Sequence, residues 1–329
     1  MATSRHPSRA QASARTRGRT VRRRWRLFVL VPLLFLALGL AVSATWAGIT
    51  RLRDASDPGV PVDPAAFATG SCVAYPPTSG DRHLTVFLDA GHGGLDPGAV
   101  GTTSSGRTIY EATETLPVEL DTAALLRSRG YRVVVSRTTD SSVVRLTPAD
   151  LSDGVLSLQG AHDDVAARDE CANLAGADVL VGIYFDSGGS PDDAGSVTTY
   201  DGVRPFSAAN LRLATLVQKD VLAAMNAQGW VIPDDGVQPD SQEGSIVPTS
   251  SDSPIAVGAA AYGHVLLLGP SMAGFFSTPS QMPGALVEPL FVTDPFEGSL
   301  AVSSRGQHVI AGGLATAIDQ YFAARATAG

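Results

Sequence analysis

The 329-residue chain is 44% hydrophobic and 17% charged, which excludes a disordered or fibrous protein and leaves material for one sizeable core. Its net charge of −8 is unevenly spread, because residues 1–50 carry nine Arg and no acid, so the remainder stands at about −17. So acidic a body excludes nucleic acid as its partner, since a phosphate backbone requires a basic face.

In chain order, a basic segment over residues 1–26 comes first and ends in Arg22, Arg23, Arg24 and Arg26. The uncharged run LFVLVPLLFLALGLAVSATWAG follows over residues 27–48, long enough to cross the hydrocarbon core of a bilayer as one transmembrane helix. Arginines on its N-terminal side place that side in the cytoplasm and everything after about residue 50 outside. The expected localisation is therefore the cell membrane, single-pass, with the domain extracytoplasmic. A cleavable signal peptide is the alternative, although its apolar region is normally shorter and closed by an A-x-A-like site. Residues 49–83, rich in Pro and Gly, read as a linker between anchor and domain. The two cysteines, Cys72 and Cys171, both fall on the exported side, where disulfides persist; a bridge and two buried thiols are both open.

The expected domain covers residues 84–326. LTVFLDAGHGG (84–94) reads as a strand ending in a glycine-rich loop, and 112–130 as a helix stopped by Gly130. YRVVVSR (131–137) supplies a second strand, the polar stretch 138–162 an inserted loop or hairpin, and 161–177 a second helix. DVLVGIYFDS (178–187) is the next strand and 207–229 the next helix. Strands over 262–270 and 284–292 and a closing helix over 308–326 complete the pattern. Alternation of this kind predicts a three-layer α/β/α domain around a mostly parallel sheet, with its ligand at the C-terminal strand ends. The polar segments 138–162 and 230–260 are expected to shape access to that site or to dock a partner.

Polar residues gather at those predicted strand ends, and together they resemble a known family. FLDAGHGGLDPGAVG (87–101), the segment beginning at Glu111, VVVSRTTD (133–140), Arg168 with Ala172-Asn173 and Ala177-Asp178, and LVEPLF (286–291) are similar to the signatures of the family-3 N-acetylmuramoyl-L-alanine amidases, which are zinc-dependent. The resemblance implies His92 and Glu111 as ligands of Zn2+ and Glu288 as the catalytic carboxylate. It also implies peptidoglycan as substrate, cut between N-acetylmuramic acid and the L-alanine of the stem peptide. Three protein ligands and one open position are what a catalytic zinc requires, and a carboxylate in an otherwise apolar strand calls for a partner or a function. The plainer alternatives are a turn histidine, an acid favoured at a helix N-terminus, and a buried ion pair.

One position departs from the pattern. Tyr184, in Gly-Ile-Tyr-Phe-Asp, stands where the family has its third ligand histidine. Four outcomes are open: Tyr184 binds as phenolate, Asp186 supplies an oxygen, His162 or His264 reaches in from elsewhere, or no zinc is held. The last leads to a second hypothesis, a pseudo-amidase that binds peptidoglycan or regulates another cell-wall hydrolase. A nucleophilic hydrolase of another type is disfavoured, since the chain has no G-x-S-x-G elbow.

Overall fold

The computed structural model describes residues 58–242 and 253–326. The expected cytoplasmic segment and transmembrane anchor lie outside the described residues, and no helix among those described is long and apolar enough to cross a membrane.

In chain order the elements are β1 (Val60–Pro61), β2 (Ser71–Tyr75), β3 (Thr85–Ala90), β4 (Val100–Thr102), β5 (Thr108–Tyr110), α1 (Glu111–Ser128), β6 (Arg132–Arg137), β7 (Leu151–Ser152), β8 (Val155–Leu156) and α2 (Leu158–Leu174). They continue with β9 (Val179–Ile183), β10 (Ser196–Tyr200), α3 (Ser207–Asn226), β11 (Asp234–Pro239), α4 (Pro254–Tyr262), β12 (Gly284–Glu288), α5 (Pro295–Ala301) and α6 (Ser304–Ala326). Eight of the strands form one sheet in the order β1-β2-β6-β3-β9-β12-β10-β11. The central pairs β6/β3, β3/β9 and β9/β12 are parallel, whereas β2 and β10 run against their neighbours β6 and β12.

The period of two along each central strand splits its side chains between two cores. Val86, Leu88, Val133, Val135, Val181 and Val287 face α1, α3 and α6, which contribute Val118, Leu126, Leu213, Val217, Leu314 and Ile318. Phe87, Val134, Leu180 and Leu286 face the other way, onto Ala167, Cys171 and Ala172 of α2 and the loop residues Leu267 and Leu268. Both faces are covered, so these strands read as continuous apolar runs, and the three-layer α/β/α expectation is met by a mixed, mostly parallel sheet.

The structure differs from the sequence expectation at four places. The linker expected over 49–83 is in part domain, because Ser71–Tyr75 joins the sheet beside β6 and its side chains are buried. Residues 262–270 form no strand: Gly263 closes α4 in the left-handed conformation, and the amides of Leu268 and Gly269 turn back onto the carbonyl of Val265. Leu267 and Leu268 are buried all the same, which is why the segment is apolar. The strand expected over 284–292 stops at Glu288, since Pro289 has no N–H to give a ladder. Finally, β11 falls in the segment 230–260 expected to be loop, and β10 in a stretch for which no element is expected. β11 lies at the sheet edge and half its residues are polar, so it carries no apolar alternation.

Cys72 and Cys171 are bonded, with their Cα atoms 5.7 Å apart. Of the two open alternatives the bridge is the one formed. It fastens β2 to α2 across 99 residues of sequence.

Candidate active site

Strand register brings three chain ends to one rim of the sheet. Ala90 at the end of β3 pairs with Ile183 at the end of β9, and Ile183 pairs with Val287, one residue before Glu288 at the end of β12. The loop leaving β3 then carries His92, which has φ +61, a left-handed conformation that costs energy in a non-glycine residue. That backbone is held from below. The Arg168 guanidinium donates to the carbonyls of Ala90 and His92, and the Arg137 guanidinium to those of Ala90, Gly91 and Ala112.

Glu111, first residue of α1, is 3% exposed and reaches across the same rim. Its Oε1 accepts from the Phe185 amide at 2.9 Å and its Oε2 from the Ala99 amide at 2.9 Å. Oε2 also lies 3.2 Å from His92 Nε2, while His92 Nδ1 lies 2.8 Å from Asp96 Oδ2. The imidazole is thus suspended between two carboxylates. Burial works against its charge, but the hydrogen bonds and charges of Asp96 and Glu111 outweigh that and push the His92 pKa up to about 10. Burial likewise opposes ionisation of Asp96, and the hydrogen bond and charge of His92 overcome it to hold this carboxyl below its usual range. Gly98 completes the cradle: a Cβ there would sit 2.6 Å from Glu111 Oε2 and 2.7 Å from the His92 ring.

Tyr184, one residue beyond β9, packs its ring edge-on to His92 with centroids 5.3 Å apart, and a Cβ on Gly91 would fall 2.4 Å from that ring. Its hydroxyl donates to Asp89 Oδ2 at 3.1 Å. Asp89 Oδ1 in turn receives Arg168 Nη1 at 2.6 Å, and Arg168 is also bound to Asp164. Burial, and then the negative charge of Asp89, raise the Tyr184 pKa well above that of a free phenol despite the opposing charge of Arg168. Tyr184 is therefore a neutral hydrogen-bond donor committed to Asp89.

His162 and His264, the candidates for a substitute ligand, are placed elsewhere. His162 packs its ring against Phe275 and Phe276, and His264 lies against Asp201 and Asp240. Asp186 caps its own turn by accepting from the Ser187 amide. Glu288 is partly exposed at the end of β12, and the strand's alternation directs it to the face of Leu286 rather than that of Val287.

His92 and Glu111 suit a zinc ion, offering one nitrogen and one oxygen at a shared point. The Asp96 contact to the far ring nitrogen is the support a metal-binding histidine normally has. Tyr184 does not fit as a third ligand, because its oxygen is engaged by Asp89.

Nothing in the sequence assigns a role to the charged residues beneath this site. Asp89 and Arg168 are 0% and 1% exposed. Buried Glu119 takes the Ala90 amide, the Ser136 amide and the Ser136 hydroxyl on Oε1. Burial drives its pKa up to about 8, against the pull of the Arg137 charge. For Asp89 and Arg137 the available signal was a charged residue at or next to the end of an apolar strand, Thr85–Ala90 and Arg132–Arg137, whereas Glu119 and Arg168 stand on helices and gave none.

Comparison with known proteins decides the family: the profile described as N-acetylmuramoyl-L-alanine amidase matches residues 86–320. The chain belongs to that family. The sporulation-specific N-acetylmuramoyl-L-alanine amidase of Bacillus subtilis is 32% identical over 127 residues, 36% of this chain and 40% of that one. The probable N-acetylmuramoyl-L-alanine amidase AmiB of Haemophilus influenzae is 32% identical over 114 residues, 34% of this chain and 21% of that one. The chain thus spans less than half the length of these two relatives. Among solved structures, the CwlD amidase of Clostridioides difficile, in complex with the GerS lipoprotein, shares the fold with a TM-score of 0.53 at 20% identity, over 73% of this chain and 99% of that one.

Proposed function

We propose that this amidase-family domain hydrolyses the amide between N-acetylmuramic acid and the L-alanine of the peptidoglycan stem peptide, on the outer side of a membrane in which residues 27–48 anchor it. The observation that carries the proposal is the convergence of His92 Nε2 and Glu111 Oε2 at 3.2 Å beside the strand end bearing Glu288. His92 and Glu111 would hold the zinc. The chemistry such an ion supplies is to make water acidic enough to serve as a nucleophile near neutral pH. Asp96 orients the His92 ring, and the Ala99 and Phe185 amides fix the Glu111 carboxylate. Glu288 accepts the proton of the attacking water and returns it to the departing amine.

A second reading is favoured by one specific observation, the hydrogen bond that turns the Tyr184 hydroxyl to Asp89 and leaves two protein ligands instead of three. On that reading the domain is a pseudo-amidase that binds peptidoglycan or regulates another hydrolase. A regulatory protein partner fits either reading, as the lipoprotein bound to CwlD illustrates for that protein.

Zinc content and peptide release from purified sacculi, measured on wild type, His92→Ala and Glu288→Gln, separate the two. The amidase predicts stoichiometric zinc in wild type and in Glu288→Gln, with activity in Glu288→Gln lowered about 100-fold or more. His92→Ala is expected to lose both metal and activity. Zinc-free wild type that releases no peptide would leave only the binding function.

A further inference from the structure

A second group of metal-ligand side chains lies at the other rim of the sheet. β10 runs antiparallel to β12, with Val197 opposite Glu288 and Thr199 opposite Leu286, so the C-terminal end of β10 points away from the rim that holds His92 and Glu111. Asp201 follows directly on β10. Asp240 follows directly on β11, the parallel neighbour in which Pro239 pairs with Tyr200. His264 comes from the turn after α4. One ligand atom from each of the three falls within 4.8 Å of the others.

The contacts inside this group are those of donors around a common point. His264 Nδ1 lies 3.1 Å from Asp201 Oδ2 and 3.1 Å from Asp240 Oδ2. Bonds of about 2.1 Å to a six-coordinate ion put neighbouring donors about 3.0 Å apart, which these spacings match. A single ring N–H explains only one of the two contacts. The hydrogen-bond geometry from Nδ1 is met at Asp240, whereas Asp201 Oδ2 accepts no hydrogen bond from any described residue. Asp201 is 0% exposed, so water does not solvate that oxygen. A buried carboxylate oxygen left without a hydrogen-bond donor is costly, and it lies the same 3.1 Å from His264 Nδ1 as Asp240 Oδ2 does.

Apart from His264, the neighbouring groups fix these side chains without giving that oxygen a hydrogen bond. Asp201 Oδ1 accepts the amides of Val203 and Arg204 at 2.8 and 2.7 Å, which sets the rotation of its carboxylate and leaves Oδ2 facing His264. The Arg204 guanidinium is spent on the carbonyls of Gly269 and Ser280. Asp240 Oδ2 also receives the Val265 amide at 3.3 Å.

We infer that Asp201, Asp240 and His264 form a binding site for a divalent first-row transition-metal ion, separate from the His92–Glu111 pair. Two carboxylate oxygens and one imidazole nitrogen are a donor set that manganese and zinc both accept. The ion would clip the ends of β10 and β11 to the turn after α4, which makes it a stabilising site and not a second reaction centre.

The test uses the full-length chain carrying His92→Ala and Glu111→Gln, stripped with chelator and titrated with Mn2+ alone. The expected result is one bound Mn2+ per chain by electron paramagnetic resonance, with a melting temperature raised by several degrees. Adding Asp201→Asn and Asp240→Asn, which keep side-chain shape, is expected to weaken Mn2+ binding at least 100-fold. Should that variant fail to fold, paramagnetic broadening by Mn2+ in the unmutated chain serves instead, expected on the amides around Asp201 and Val265. No Mn2+ bound in the first variant, undiminished binding after the Asn changes, or broadening confined to the His92 loop would each overturn the site.

Discussion

At the residue scale, Tyr184, expected from the resemblance to stand at a ligand position, makes a different contact. Tyr184 donates to Asp89, and Asp89 anchors Arg168, which supports the His92 carbonyl. Tyr184→Phe deletes one buried hydrogen bond and is expected to cost about 1 kcal/mol of unfolding free energy while leaving zinc affinity unchanged. Tyr184→His introduces an imidazole at the same place and is expected to tighten zinc binding at least tenfold, read by competition with a chromogenic chelator. An unaltered affinity in Tyr184→His would mean that this position does not face the ion at all. Glu119, deeper in the same network, carries a pH dependence of definite sign. Its folded pKa of about 8 exceeds the ordinary value of 4.5, so the stability it contributes is complete below pH 4.5 and is lost as pH rises towards 8. Glu119→Gln keeps the acceptor that holds Ala90 and Ser136 but does not ionise. Relative to wild type it is expected to gain a few kcal/mol between pH 5 and pH 9, measured by urea denaturation at both.

At the element scale, the arginines of α2 and β6 act as struts rather than surface charges. Arg168→Met leaves Asp89 and Asp164 buried without their cation and is expected to destabilise the domain by about 3–5 kcal/mol, visible as a lowered denaturation midpoint. α1, α2, α3, α6 and the central strands were legible in the sequence because each is an apolar run or a stretch with helical spacing, whereas α4 falls largely in the segment 230–260 expected to be loop and α5 in a stretch given no element. β10 and β11 were not legible either, since Ser196, Thr198, Thr199, Asp234, Asp235 and Gln238 give no hydrophobic period and only the neighbouring strands define them. The apolar segment 262–270 misled for the opposite reason, as burial of Leu267 and Leu268 from a turn leaves the same mark as a strand. His92, Glu111, Tyr184 and Glu288 could be named through the resemblance to a known family, whereas the direction of the Tyr184 hydroxyl depends on Asp89, 95 residues away.

At the scale of the whole molecule, the domain begins earlier than its first apolar strand suggests. Residues from Gly59 onward form one compact unit, and β2 is covalently joined to α2 through Cys72 and Cys171. Closing a loop of that length stabilises by about 2–4 kcal/mol in typical proteins. Cys72→Ser with Cys171→Ser is therefore expected to lower the denaturant midpoint, and dithiothreitol to lower that of wild type to match. Equal midpoints in the two oxidised proteins would show that the bridge adds nothing.

The bridge also decides where a mechanical load would travel. Tension entering the domain from its N-terminal side meets β1 first, a two-residue strand at the sheet margin that peels with little resistance. A pull applied there then meets the Cys72–Cys171 bond, which carries it sideways into the helix bearing Arg168, the residue that holds the His92 carbonyl.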